Sequence, residues 1–162
     1  MNHEVVEAIT MYGERKLIPV SQLVFRLSAY FVAIEDDKVL LIKHSLRNLL
    51  GFPGGGVELG ETCMEALMRE SEEELGTSEI EIGELIGIGE NFYYYDETGE
   101  AFHALLLFYH GKILDKTAIL KPLNPNDIET DPQWYEIKDL VEYQFGELKV
   151  GSFMAIIKKA QS

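Results

Sequence analysis

Cysteine, positive charge and long apolar runs are what this chain has least of. Its single cysteine, Cys63, cannot close an intramolecular disulfide, which excludes a disulfide-stapled secreted scaffold. No stretch approaches the roughly 18 uninterrupted apolar residues that a membrane-spanning helix needs. The start, Met1-Asn2-His3-Glu4, has no basic segment followed by an apolar one, so no secretory signal is expected. Together these absences predict a cytoplasmic protein with no membrane partner. Lys and Arg number 14 against 28 Asp and Glu, a net charge of −14. Such a surface repels a phosphate backbone and disfavours duplex nucleic acid as a partner. A small anionic substrate stays compatible if bound cations reverse the local sign. Repeats, low-complexity tracts and linker-like stretches are missing, and so are a P-loop, a Cys/His zinc pattern and an EF-hand loop.

What remains is a chain of 162 residues, 46% apolar and 26% charged, the profile of one globular domain over 1–162. Residues 1–20 read ambiguously: Val5, Val6, Ala8 and Ile9 suit a short helix, and Pro19 punctuates before the first strand. This segment is an N-terminal extension and a candidate contact for a homodimer. Val24 to Ile34 predicts a strand, Glu35-Asp36-Asp37-Lys38 a turn, and Val39 to Ile42 the returning arm of a hairpin. A glycine-rich loop, Gly51-Phe52-Pro53-Gly54-Gly55-Gly56, leads to a helix from about Thr62 to Leu75. Thr62 and Glu65 form a capping box at its start, and Gly76 is a natural stop. Strands are predicted over Ile80–Tyr95, Ala101–Ile113 and Trp134–Ile137, and a last helix over Ser152–Ala160. Strands interleaved with helices imply a layered α/β domain with a mixed sheet.

On the central helix Met64, Leu67, Met68 and Leu75 are the expected core face. Glu70, Glu73 and Glu74 stand at i, i+3 and i+4 and share another face, about 100° wide. Aligning three carboxylates costs stability: the Glu70–Glu74 pair alone is unfavourable by a few tenths of a kcal/mol. Arg69 offsets part of that through an i, i+4 pair with Glu73. A lone run of glutamates is usually a solvated face. The glycine loop in front changes the reading, because it lets a backbone approach a ligand closely. A close-approach loop feeding a carboxylate-lined helix suits a hard cation such as Mg²⁺, with Mn²⁺ as a substitute.

The run Gly55-x5-Glu61-x7-Arg69-Glu70-x2-Glu73-Glu74-x-Gly76 resembles the Nudix box, G-x5-E-x7-R-E-U-x-E-E-x-G-U. All seven fixed letters are present, and chance gives such a match odds of roughly one in 10⁵ at this composition. The positions marked U, usually bulky and aliphatic, hold Ser71 and Thr77. The resemblance to Nudix (MutT-like) hydrolases covers roughly residues 24–140 and implies an α/β/α sandwich around a mixed sheet. It further implies hydrolysis of a nucleoside diphosphate derivative, a metal-activated water attacking phosphorus. Carried over, Glu73 and Glu74 are metal ligands and Glu70 is a ligand or the general base. Arg69 orients the carboxylates, Glu61 braces the loop against the helix, and a carbonyl of Gly54 or Gly55 adds a ligand. A further acid from a later loop is assigned to Glu129 in preference to Asp131. The alternative is a Nudix-fold sensor or interaction module that binds a nucleotide without turnover; the intact acidic set argues for the hydrolase.

Substrate contacts are less sharply marked. Arg47, Lys43 and His44 precede the glycine loop and are candidate phosphate holders or simply residues of a strand end. Cys63 at the helix start reads as a small packed side chain. Phe92-Tyr93-Tyr94-Tyr95 lies past the box, where a tyrosine resembles the pattern of diadenosine polyphosphate hydrolases. Tyr94 and Tyr95 are therefore candidates for stacking on a base, against the commoner reading of an aromatic core strand. The proline expected of ADP-ribose-cleaving relatives is absent. A nucleoside triphosphate or a dinucleoside polyphosphate is the favoured substrate class.

Overall fold

Two strands that diverge from one tight hairpin create the cleft around which this protein is built. A computed structural model describes residues 4–126 and 128–162, and of Glu129 and Thr130 the backbone alone. Strands β3 (Leu23–Glu35) and β4 (Lys38–His44) meet at a turn where Asp36 and Asp37 both adopt positive φ, 47° and 60°. That geometry matches the right-handed twist of the flanking strands. The two strands pair only at Ile34–Val39 and Glu35–Lys38, then separate. Into the gap comes β6 (Gly54–Gly56), antiparallel to β3 from Ser28 to Tyr30. On the other side β4 pairs with β5 (Leu49–Gly51) and with β9 (Glu129–Glu136).

The main sheet continues through β8 (Glu100–Ile113), parallel to β3 over eleven registered pairs from Leu23 to Ala33, and β7 (Ile80–Tyr95), antiparallel to β8. Strands β1 (Val5–Thr10) and β2 (Arg15–Pro19) complete the order β2-β1-β7-β8-β3-β4-β5. The short helix suggested for the first residues is thus replaced by a β-hairpin. Gly13, at φ 85°, turns it. Parallel pairing of Ile9 with Tyr93 and Thr10 with Tyr94 covers the edge of β7. Ala8, Ile9 and Thr10 are all buried there, so both faces of the strand end are apolar-packed and the period-2 alternation is lost.

Helix α1 (Cys63–Leu75) starts and ends as its sequence dictates. The Glu65 N–H donates to Thr62 Oγ1 (3.2 Å) and the Thr62 N–H to Glu65 Oε2 (2.7 Å). Gly76, at φ 71°, closes it. Leu67 and Leu75 pack with Ala29, Phe31 and Ala33 of β3. Helix α2 (Phe153–Ala160) places Ile156 and Ile157 with Val32, on the opposite face of the same strand. Alternate residues of β3 thus serve two layers, the α/β/α sandwich expected. The core face of α1 differs from expectation in detail. Met64 and Met68 are exposed, and the buried residues are Ala66, Leu67, Ser71, Glu74 and Leu75. Met68 sits about 100° round from Leu67, at the margin of that buried face. Among the described residues no helix is long and apolar enough to cross a membrane.

Candidate active site

The divergence of β3 and β4 opens a cavity of about 390 Å³. Its floor is the polar face of β3, Arg26, Ser28 and Tyr30, at period 2. The glycine strand and Glu70, Glu73 and Glu74 form one wall; Tyr93, Tyr94 and Tyr95 with Ile9, Thr10 and Met11 form another.

Each box residue has a distinct place. Glu74 is 6% exposed and accepts the Gly54 N–H at 2.7 Å, which ties the helix to the glycine strand. Glu70 lies against Gly55: a β-carbon there would come within 2.6 Å of its Oε1. Glu73 is the outermost, its side chain 55% exposed. Arg69 sits behind them, outside the cavity lining. Its Nε and Nη2 donate to the two oxygens of Glu61 (2.9 and 3.0 Å) and its Nη1 to Glu70 Oε1 (2.8 Å). Nη2 also donates to the Gly56 carbonyl at 3.0 Å. Its i, i+4 approach to Glu73 is looser, 3.7 Å. Glu61 in turn accepts the Glu58 N–H at 2.8 Å, so one guanidinium joins loop, glycine strand and helix.

The electrostatics follow from those bonds. Arg69 and the Glu58 N–H hold the Glu61 carboxyl down at about 2, and its partner Glu61 raises Arg69 above its ordinary value. A carboxyl whose folded value is depressed contributes stability that is present above its ordinary value near 4.5 and lost as pH falls towards 2. The unfolding midpoint of the parent should therefore drop through that window. Glu61→Gln should show a shallower drop over the same pH range, measured by thermal melts at pH 7, 4 and 2.5. Identical slopes in both proteins would remove Glu61 from the acid response.

Whether this site suits a divalent cation depends on its donors. The oxygens of Glu70, Glu73 and Glu74 are hard, and all three residues line one cavity beside backbone carbonyls, a set that fits Mg²⁺ or Mn²⁺. Among the described residues, no three acidic, His or Cys side chains converge on a single point, since Arg69 and the Gly54 N–H engage Glu70 and Glu74. A carboxylate offers about four lone-pair sites, so one that accepts an N–H can still ligate a cation.

Of the other predicted residues, Gly54, Arg47, Tyr94 and Tyr95 line the cavity. Tyr94 carries the Lys16 ammonium 3.5 Å from its ring centre, so that ring face is occupied by the hairpin. The backbone of Glu129 pairs with His44, and its side chain lies outside the described residues. Asp131 is exposed and accepts from Gln133 (2.8 Å). Lys43 lies outside the cavity lining. Cys63 packs at the α1-side core, as a small side chain. His44 lines the cavity; burial and nearby Arg47 both push its imidazole below the ordinary value. Sequence reasoning missed Arg26 and the hairpin, and from the tyrosine run it singled out Tyr94 and Tyr95 and not Tyr93, which also lines the cavity. The alternation Arg26, Ser28, Tyr30 marked β3's polar face; nothing local marked the hairpin as a wall.

A family model for the NUDIX domain matches residues 24–154, spanning β3 to the start of α2. The chain belongs to the NUDIX family. Within that family it is 28% identical over 99 residues to a protein of Lactococcus lactis subsp. cremoris named a "probable DHNTP pyrophosphohydrolase", covering 52% of this chain and 60% of that one. It is 46% identical over 48 residues to an RNA pyrophosphohydrolase of Campylobacter jejuni subsp. doylei, covering 29% and 31%. The match thus spans less than two thirds of either relative. The crystal structure of a MutT NUDIX hydrolase from Burkholderia pseudomallei shares the fold, with a TM-score of 0.52 at 22% identity over 85% of this chain and 97% of that one. The hairpin β1–β2 precedes the NUDIX match and still walls the cleft.

Proposed function

We propose that this chain hydrolyses a phosphoanhydride bond in a small nucleotide, with Mg²⁺ or Mn²⁺ held by Glu70, Glu73 and Glu74. The observation that carries this reading is the placing of all three carboxylates in the cavity that two arginines and four tyrosines also line. When bound, the cation neutralises phosphate charge and lowers the pKa of a coordinated water. The chain's own part is positioning. Gly54 supplies the N–H that fixes Glu74, and its carbonyl is a candidate ligand. Arg69 holds Glu70, which is a ligand or accepts the proton of the attacking water. Glu61 holds Arg69. Glu129, on the strand beside His44, is the candidate for the further acid. Names of relatives as pyrophosphohydrolases support the reaction class. Residues 1–162 act as one catalytic unit, the hairpin being part of its cleft.

The test is a phosphate-release screen over nucleoside triphosphates, dinucleoside polyphosphates, nucleotide sugars and ADP-ribose. Release is expected to need a divalent cation, to stop on chelation, and to be fastest for the first two classes. Binding of those nucleotides with no release from any class would instead support a sensor without turnover.

A further inference from the structure

Carboxylates outnumber cations two to one in this protein, yet two of its arginines pair with none among the described residues. The four arginines are Arg15, Arg26, Arg47 and Arg69. Arg15 binds Glu7 and Glu147, and Arg69 binds Glu61 and Glu70. Arg26 and Arg47 have no carboxylate partner among the described residues, and they are the arginines that line the cavity. A half-buried guanidinium without an anion costs free energy, and a chain with 28 acidic residues had ample means of supplying one.

Both are held in place by other means. Arg26 Nη1 donates to Tyr95 Oη at 3.3 Å, and its guanidinium carbon lies 5.5 Å from the Tyr95 ring and 5.1 Å from Phe102. Gly56 gives it room: a β-carbon there would fall 2.7 Å from Nε. Arg47 packs against the turn of the N-terminal hairpin, its Nε 3.4 Å from where a β-carbon of Gly13 would be, and it interacts electrostatically with Tyr93. Burial lowers its affinity for a proton, and a guanidinium nonetheless stays charged at neutral pH. Tyr93 and Tyr95 share one side of β7, their backbones about 7 Å apart.

We propose that Arg26 and Arg47 are a two-point anion clamp that selects a substrate with at least three consecutive phosphates over one with two. This deepens the nucleotide reading of the cleft and rests on it. Arg26, beside the glycine strand, takes the phosphate end nearest the carboxylates, and Arg47, against the hairpin, takes the other end. Bidentate geometry suits each guanidinium to a phosphate, and an anion that engages both must reach from the glycine strand to the hairpin, which a longer polyphosphate does more readily than a shorter one.

The probes are inorganic triphosphate and inorganic pyrophosphate, titrated calorimetrically into the full chain in Mg²⁺ buffer, with phosphate release followed in parallel to correct for turnover. The parent should bind triphosphate about tenfold or more tightly than pyrophosphate. Arg26→Gln and Arg47→Gln should each lose about tenfold to a hundredfold of triphosphate affinity, with unfolding midpoints near the parent's. Arg15→Gln makes the same charge change outside the cleft and should bind like the parent. Parent-like triphosphate binding in either cleft variant, an equal loss in Arg15→Gln, or no preference of the parent for triphosphate overturns the clamp. Turnover is read separately. Nucleotide hydrolysis with an unchanged KM in both cleft variants sinks the clamp and leaves the hydrolase; arginine-dependent binding without hydrolysis does the reverse.

Discussion

Glu73→Gln is expected to lower turnover by about 10²–10³-fold while leaving the unfolding midpoint unchanged or slightly raised. The asymmetry comes from where the side chain stands. Glu73 is the most exposed of the three box glutamates, and its charged contact is a loose 3.7 Å approach to Arg69. Little folding energy is invested in it, and removing its charge relieves repulsion from Glu70 worth a few tenths of a kcal/mol. A lost cation contact, by contrast, is worth several kcal/mol in the transition state. Glu74→Gln offers the comparison. Glu74 is buried and accepts the Gly54 N–H, so that variant should lose stability as well as turnover. Steady-state kcat and a thermal melt on both proteins decide the matter. A Glu73→Gln enzyme within about threefold of the parent would remove Glu73 from the metal site.

Gly54→Ala should be the most damaging single methyl addition at the site, costing about 2–5 kcal/mol. Two penalties combine there. Gly54 has φ 134°, where an L side chain is strained, and a β-carbon would overlap the Ala29 carbonyl and lie 2.8 Å from Tyr30 Cα. Both obstacles are backbone of the central strand β3, which cannot swing aside as a side chain can. Gly60→Ala separates the two effects. Gly60 also has positive φ, 97°, with open space around its β-carbon position, so it should lose only the strain, about 1 kcal/mol. Chemical denaturation of the two variants gives the difference directly. Equal losses would mean that the close packing of β6 on β3 has little energetic weight.

Much of the site was legible in advance because its key residues are close in sequence. The helix that carries Glu70, Glu73 and Glu74 has a capping box at Thr62–Glu65 and a left-handed stop at Gly76, and its period puts the three carboxylates together whatever surrounds it. The reading failed where burial came from distant strands. Met64 and Met68 looked like core by spacing, yet the helix turns Ser71 and Glu74 inward, where the glycine strand offers Glu74 an N–H. Val5 to Thr10 looked compatible with a helix, since packing on both faces near β7 erased the strand alternation.

By itself, then, the sequence determined the family, the acidic helix with its glycine loop, and the longer strands along the chain, all of which arise from local periodicity, turn chemistry and caps. Only the tertiary structure decided what the carboxylates face. The β3–β4 hairpin pairs for two registers and then opens, β7 brings Tyr93 and Tyr95 alongside, and a hairpin before the family's span comes to brace Arg47. Arg26 and Arg47 are 21 positions apart, and neither is within 20 residues of Glu70. No local rule joins them; the pairing of strands remote in the chain does, and such pairings are settled by the burial of whole faces rather than by any residue's own preference.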